Sequence, residues 1–178
     1  KNKFEVLVVN DGSTDDTALV AEKILAKDSL LDGRVITKEN GGHGSTINRG
    51  IQEAKGKFFK VIDGDDWVIP SEFEKFLDAL ETVNVDMVIT DFTEQHVYNN
   101  TAVRNDFVDK YEIGKKHMGI PDVRIPMHSV TYKTSILSEN KIRLSEKTFY
   151  VDIQYTLFPL EYVHSFSYWN YDIYQYYI

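Results

Sequence analysis

The chain has 178 residues, 42% of them hydrophobic, which is enough for one ordinary globular core and short for two. Its 20 basic and 28 acidic residues give a net charge of −8, which argues against a nucleic-acid groove as the main binding surface. With no cysteine, a disulfide scaffold, a zinc–thiolate site and a cysteine nucleophile are all excluded, and a reducing cytoplasm fits. No apolar run approaches a membrane span, and no repeat or low-complexity tract divides the chain, so a single domain over residues 1–178 is the expectation.

The first half alternates regularly. Phe4–Val9 is a β-branched, apolar run of the kind that forms a strand buried on both faces. Ser13 and Asp16 have capping-box spacing, and Ala18, Ala21, Ile24 and Leu25 recur on one helical face. Val35–Thr37 reads as a second strand. After a Gly-rich turn, Ile47, Ile51 and Ala54 mark a second helix, with Gly56 placed to cap its end. Phe58–Ile62 is a third strand; Ser71 and Glu74 then open a helix with Phe73, Phe76, Leu77 and Leu80 inward; Val85–Thr90 is a fourth strand. This β-α-β-α-β-α-β order predicts an α/β fold with a mostly parallel sheet and helices on both faces, and ligands at the C-terminal ends of the strands.

The second half is less regular. Gln95–Tyr98 and Ala102–Arg104 flank Asn99-Asn100 as a hairpin would, Ser129–Tyr132 reads as a strand and Thr134–Asn140 as a short helix. Val151–Leu160 looks helical up to Pro159. The Tyr- and Trp-rich tail from His164 to Ile178 reads as one or two strands, its aromatics destined mainly for the core.

Asp63-Gly64-Asp65-Asp66 follows the third strand directly. Three carboxylates in four residues repel one another unless solvated or neutralised, and a hard divalent cation would neutralise them while recruiting phosphate oxygens. An acidic turn that caps the next helix is the plainer alternative; the place at a strand end favours the cation. An EF-hand fails, because Trp67 and Val68 stand where a ligand and the obligatory glycine belong. Asn10-Asp11-Gly12-Ser13-Thr14 sits at another strand end, where Asp11 could accept hydrogen bonds from a base or ribose. An aspartyl-nucleophile phosphatase is disfavoured, since Val9 stands where its partner Asp belongs. In Glu39-Asn40-Gly41-Gly42-His43-Gly44-Ser45, Ile47 occupies the third glycine of a dinucleotide fingerprint, and no Gly-Lys-Ser/Thr P-loop occurs. A loop able to approach a ligand through Gly42 remains, with His43 more simply read as an exposed loop residue. Asp152 alone would be a surface carboxylate at a helix start.

Taken together, VVNDGSTDDT, ENGGHGSTINRGIQEAKGKFFKVIDGDDW and YVDIQ resemble family 2 of the inverting glycosyltransferases, in order and in spacing. The resemblance covers roughly the first 90 residues well and the Asp152 region less closely. It implies a GT-A (Rossmann-like) fold and transfer of a sugar from a nucleotide-diphosphate sugar, such as a UDP-sugar, to an acceptor hydroxyl with inversion. Asp11 would meet the base, Asp63 and Asp65 would form the DxD pair that holds Mn²⁺ or Mg²⁺, and Asp152 would be the catalytic base. Residues 1–91 would bind the nucleotide-sugar and 92–178 the acceptor, a glycan or a lipid-linked molecule, with His128 a candidate acceptor contact. Cell-surface polysaccharide synthesis in a bacterium is implied, on the cytoplasmic side and peripherally at the inner membrane face.

Three departures stand out: Val151 replaces the usual Glu beside the base, Asn48-Arg49 inverts a common Arg-Asn, and the Gln-x-x-Arg-Trp motif of processive synthases is absent. The family's first strand and helix would precede Lys1, so a fragment of a longer chain is expected. An inert homologue that binds nucleotide-sugar or glycan, and a two-metal nucleotidyltransferase that releases pyrophosphate, are the alternatives.

Overall fold

The computed structural model describes residues 3–178. Strand β1 (Glu5–Asn10) leads into helix α1 (Thr17–Leu25), and strand β2 (Asp32–Thr37) returns parallel to β1, in register from Glu5↔Asp32 to Asn10↔Thr37. The capping box expected at Ser13 does not form: α1 starts later, capped by Asp16 without a side-chain bond, because the Ser13 amide donates back to Asn10 Oδ1. Nor is the apolar face of α1 buried. Ile24 is 57% exposed, and Leu25 rests on Gly33 at the edge of a sheet only two strands wide.

Helix α2 (His43–Glu53) buries Gly44, Ser45, Ile47, Asn48, Gly50 and Ile51, the spacing of one helical face. It ends with Ala54 in extended backbone. Gly56 is not its cap; the amides of Lys55 and Gly56 instead donate to the Glu5 carboxylate at the start of β1. Strand β3 is only Phe58–Phe59, shorter than the apolar run, because the chain leaves the sheet to form the acidic loop. Strand β4 (Trp67–Val68), unforeseen in the sequence, brings that loop back. Helix α3 (Pro70–Thr82) opens on proline. Ile69 is held extended before it, as the proline ring requires, and the expected Ser71–Glu74 capping box does not form, since the helix is capped at Ile69 without a side-chain bond and Ser71 already lies inside it.

Strand β5 (Met87–His96) outruns the expected Val85–Thr90 because it continues into the hairpin with β6 (Thr101–Asn105), turned through Asn100 at φ 55°. After β7 (Lys116–Met118) and a 3₁₀ turn at Met127–Ser129 come β8 (Val130–Lys133), α4 (Thr134–Glu139) and α5 (Val151–Leu157), the last followed by a 3₁₀ turn at Phe158–Tyr162. The aromatic tail is one long strand, β9 (Ser165–Tyr177).

These strands form a seven-stranded sheet whose main path runs β3-β8-β5-β9-β4. The α/β class holds, but parallel pairing is confined to β1 with β2 and β5 with β9; the other pairs are antiparallel, since strands of the second half insert between β3 and β4. Alternation along β5 separates two cores. Met87 and Ile89 face Ile47, Tyr132, Tyr155 and Tyr168, while Val88 and Phe92 face Phe76, Ile173 and Tyr174. The tail's Tyr168 and Tyr174 are fully buried, as their β-propensity predicts, whereas Tyr177 is half-exposed.

Candidate active site at the strand ends

Four segments meet where β1, β2 and β3 end. The first is Asp11, whose carboxylate accepts from Lys38 Nζ at 2.7 Å, the amides of Gly41 (3.0 Å) and Gly42 (2.7 Å), and Ser45 Oγ at 3.2 Å. Burial raises its pKa, but the Lys38 ammonium and the two amides outweigh it and hold Asp11 below the usual carboxylate range. Asp11 thus fastens the Gly-rich turn onto β1. Gly42, at φ 79°, gives that turn its shape, and a side chain there would meet the Lys147 backbone.

The second segment is the start of α2, seated against residues 144–147. A Cβ on Gly44 would lie 2.1 Å from the Ser145 carbonyl oxygen. Asn48 bonds the Leu144 main chain twice, Nδ2 to the carbonyl at 2.9 Å and Oδ1 from the amide at 2.8 Å; the Lys147 amide donates to Gly41 O at 2.8 Å. The glycines therefore admit another stretch of the same chain. The inverted Asn48-Arg49 pair also makes sense, with Asn48 inside and Arg49 outside, paired to Glu53 at 2.7 Å.

The third is the acidic loop. Asp63 Oδ1 lies 3.0 Å from His43 Nε2, and the His43 pKa is raised, chiefly by that bond and further by the charges of Asp63, Asp152 and Asp65. Tyr174 Oη, from β9, accepts from the Asp63 amide at 3.2 Å and donates to Asp66 Oδ2; Asp66 Oδ1 accepts from the Tyr177 amide at 2.8 Å. Asp65, exposed at the loop's tip, stands apart from these bonds. Ligand atoms of Asp63, Asp66 and His128 all lie within 4.8 Å of one another.

His128 sits among Phe92, Tyr174 and Tyr176, stacked on the last at 4.2 Å between centroids, and its Nδ1 has no partner among the described residues. Burial lowers its pKa, which keeps the imidazole neutral and able to bind a cation. Two carboxylates and an imidazole with a spare nitrogen fit a divalent cation. The sequence pointed to Asp63 with Asp65; the structure gathers Asp63, Asp66 and His128, with Asp65 outside that group.

The fourth is α5, which follows Tyr150 at φ 63° and carries Asp152 in its first turn. Asp152 lies close enough to bias both His43 and His128 electrostatically. Val151, 3% exposed, packs where a Gly44 side chain would be, so the position that usually carries Glu seats α5 on α2. A concavity of about 540 Å³ lies beside α1, along Val20, Ala21 and Ile24. His43 and Tyr174 are the participants that sequence reasoning missed: His43 read as a loop residue, and nothing local ties Tyr174 to a loop over a hundred residues away.

Residues 1–141 match the family model described as Glycosyl transferase family 2. The chain belongs to that family. EpsH of Bacillus subtilis, to which a glycosyltransferase activity is ascribed, is 32% identical over 111 residues, which is 62% of this chain and 31% of EpsH. The uncharacterized glycosyltransferase RP339 of Rickettsia prowazekii is 28% identical over 171 residues, 93% of this chain and 48% of that protein. The chain thus spans less than half the length of either relative. Among solved structures, S. aureus TarS in complex with UDP superposes with a TM-score of 0.78 at 22% identity, over 99% of this chain and 52% of that one. Its complex with UDP-GlcNAc gives 0.75 at 20% identity, over 99% and 50%. This likeness establishes the GT-A glycosyltransferase fold. No helix among the described residues is long and apolar enough to cross a membrane.

Proposed function

We propose that this chain carries the catalytic centre of an inverting glycosyltransferase that moves a sugar from a UDP-sugar to an acceptor hydroxyl. The observation that carries the reading is the meeting of the acidic loop and Asp152 around His43 and His128, at the ends of the strands that open the fold. Asp152, in the first turn of α5, takes the proton from the acceptor hydroxyl as that oxygen attacks the anomeric carbon opposite the leaving diphosphate. One displacement inverts the centre. Asp63, with Asp66 and His128, would hold Mn²⁺ or Mg²⁺, which supplies positive charge for the leaving diphosphate; Asp65, exposed in the same loop, would be a further carboxylate for that cation. Asp11 keeps the Gly-rich turn in place beside the nucleotide.

Family membership supports the reaction class, and the UDP and UDP-GlcNAc complexes of TarS support a UDP-sugar. Residues 1–91 would serve the nucleotide-sugar and residues 92–178 a glycan or lipid-linked acceptor. The setting is bacterial cell-surface polysaccharide synthesis at the cytoplasmic face of the membrane. The deciding experiment follows UDP release from UDP-sugars, with and without acceptor, in the wild type and Asp152→Asn. Acceptor-dependent release that falls at least about 100-fold in the variant is expected. UDP-sugar binding without any turnover would favour an inert homologue, and pyrophosphate as product a nucleotidyltransferase.

A further inference from the structure

Lys60, between β3 and the acidic loop, is a half-buried residue whose ammonium end is enclosed, and it forms no ion pair among the described residues. Its Nζ donates to the His128 carbonyl at 2.6 Å, with a longer contact to the Val130 carbonyl at 3.4 Å, and lies 5.5 Å from the centre of the Tyr174 ring. An enclosed ammonium without a carboxylate is costly, and a methionine would fill similar space without a charge. What the charge secures is geometry. One carbonyl lies in the middle of the 3₁₀ turn Met127–Ser129 and the other at the first residue of β8, so Lys60 sets the main chain from which His128 projects. Phe92, Tyr174 and Tyr176 then fix the plane of the imidazole.

We propose that Lys60 is a positioning residue for the cation site, holding the His128 main chain so that the imidazole completes the cluster with Asp63 and Asp66. It touches neither the sugar nor the cation. The inference rests on the cation-holding role given above to Asp63, Asp66 and His128, and its test separates the two.

The variants are Lys60→Met, which lacks the charge and the donor, and Lys60→Gln, which keeps a donor of shorter reach. Two readouts avoid turnover altogether: the His128 imidazole resonances by NMR in metal-free protein, and Mn²⁺ affinity by titration without nucleotide. In the wild type, stacking on Tyr176 shifts the carbon-bound His128 protons upfield. Lys60→Met is expected to lose that shift and to bind Mn²⁺ about 10–100-fold more weakly. Lys60→Gln should retain most of both, and Lys60→Met added to His128→Ala should cost nothing more than His128→Ala alone. If Lys60→Met does not fold, Lys60→Thr, too short to reach the carbonyl, gives the same readout. Unmoved His128 resonances in the folded variant, or a Mn²⁺ loss that adds to that of His128→Ala, would overturn the proposal. If the wild type binds no Mn²⁺, the cation reading falls on its own and the His128 resonances still decide the role of Lys60.

Discussion

Gly44→Ala places a methyl carbon 2.1 Å from the Ser145 carbonyl oxygen, 3.1 Å from its carbon and 3.2 Å from Val151 Cγ1. In an unobstructed helix this substitution stabilises by up to about 1 kcal/mol, because glycine is the poorer helix former. Here residues 144–147 must retreat by roughly 1 Å before the contact becomes tolerable, a strain of about 1–3 kcal/mol. That retreat pulls the Leu144 main chain from Asn48 and the Lys147 amide from Gly41, and a buried bond left unmade costs a further ~1–3 kcal/mol. We therefore expect Gly44→Ala to destabilise by about 1–5 kcal/mol, opposite in sign to the helix effect. Val151 moves with the segment and carries α5, so Asp152 shifts against the acidic loop and turnover falls by about 100-fold. Denaturant unfolding reads the first effect and UDP release the second. A variant as stable as the wild type, with unchanged turnover, would refute the account of how α5 is seated.

Three further outcomes are expected. Tyr174→Phe removes the hydroxyl that ties Asp66 to the Asp63 amide, and should weaken Mn²⁺ binding about 10-fold while unfolding midpoints show a loss near 1 kcal/mol. Glu5→Gln should cost about 1–2 kcal/mol at neutral pH, because Glu5 joins β1 to the amides of Lys55 and Gly56 and to Arg34, 3.2 Å away. Burial raises the Glu5 pKa, but those partners outweigh it and leave it below the usual 4.5; its contribution is present above that pH and lost as pH falls through the lowered value. The stability gap between wild type and Glu5→Gln, followed by unfolding at pH 7, 4.5 and 3, should therefore shrink towards the acid end.

The parts of this site legible in the sequence are those made by short stretches of chain. The acidic loop after Phe58-Phe59 and the turn after β1 were visible because a strand period gives way to charge or glycine there. What stayed hidden depends on partners far away in the chain. Nothing next to His43 marks its bond to Asp63, and nothing next to Lys60 points to the carbonyl of His128. The Gly-rich turn suggested room for a ligand, yet Gly44 is filled by Ser145, a contact that local spacing cannot encode. The β-α-β rhythm identified the class but not the pairing, because β8 and β9 enter from the irregular half and run against most of their neighbours.

The most direct test of the central claim is calorimetric titration of UDP into the protein with and without Mn²⁺, repeated with Asp63→Ala. Binding that requires both the cation and Asp63 is the predicted result. UDP affinity indifferent to Mn²⁺ and to Asp63, or no UDP binding under any condition, would contradict a cation-assisted nucleotide-sugar site at the acidic loop.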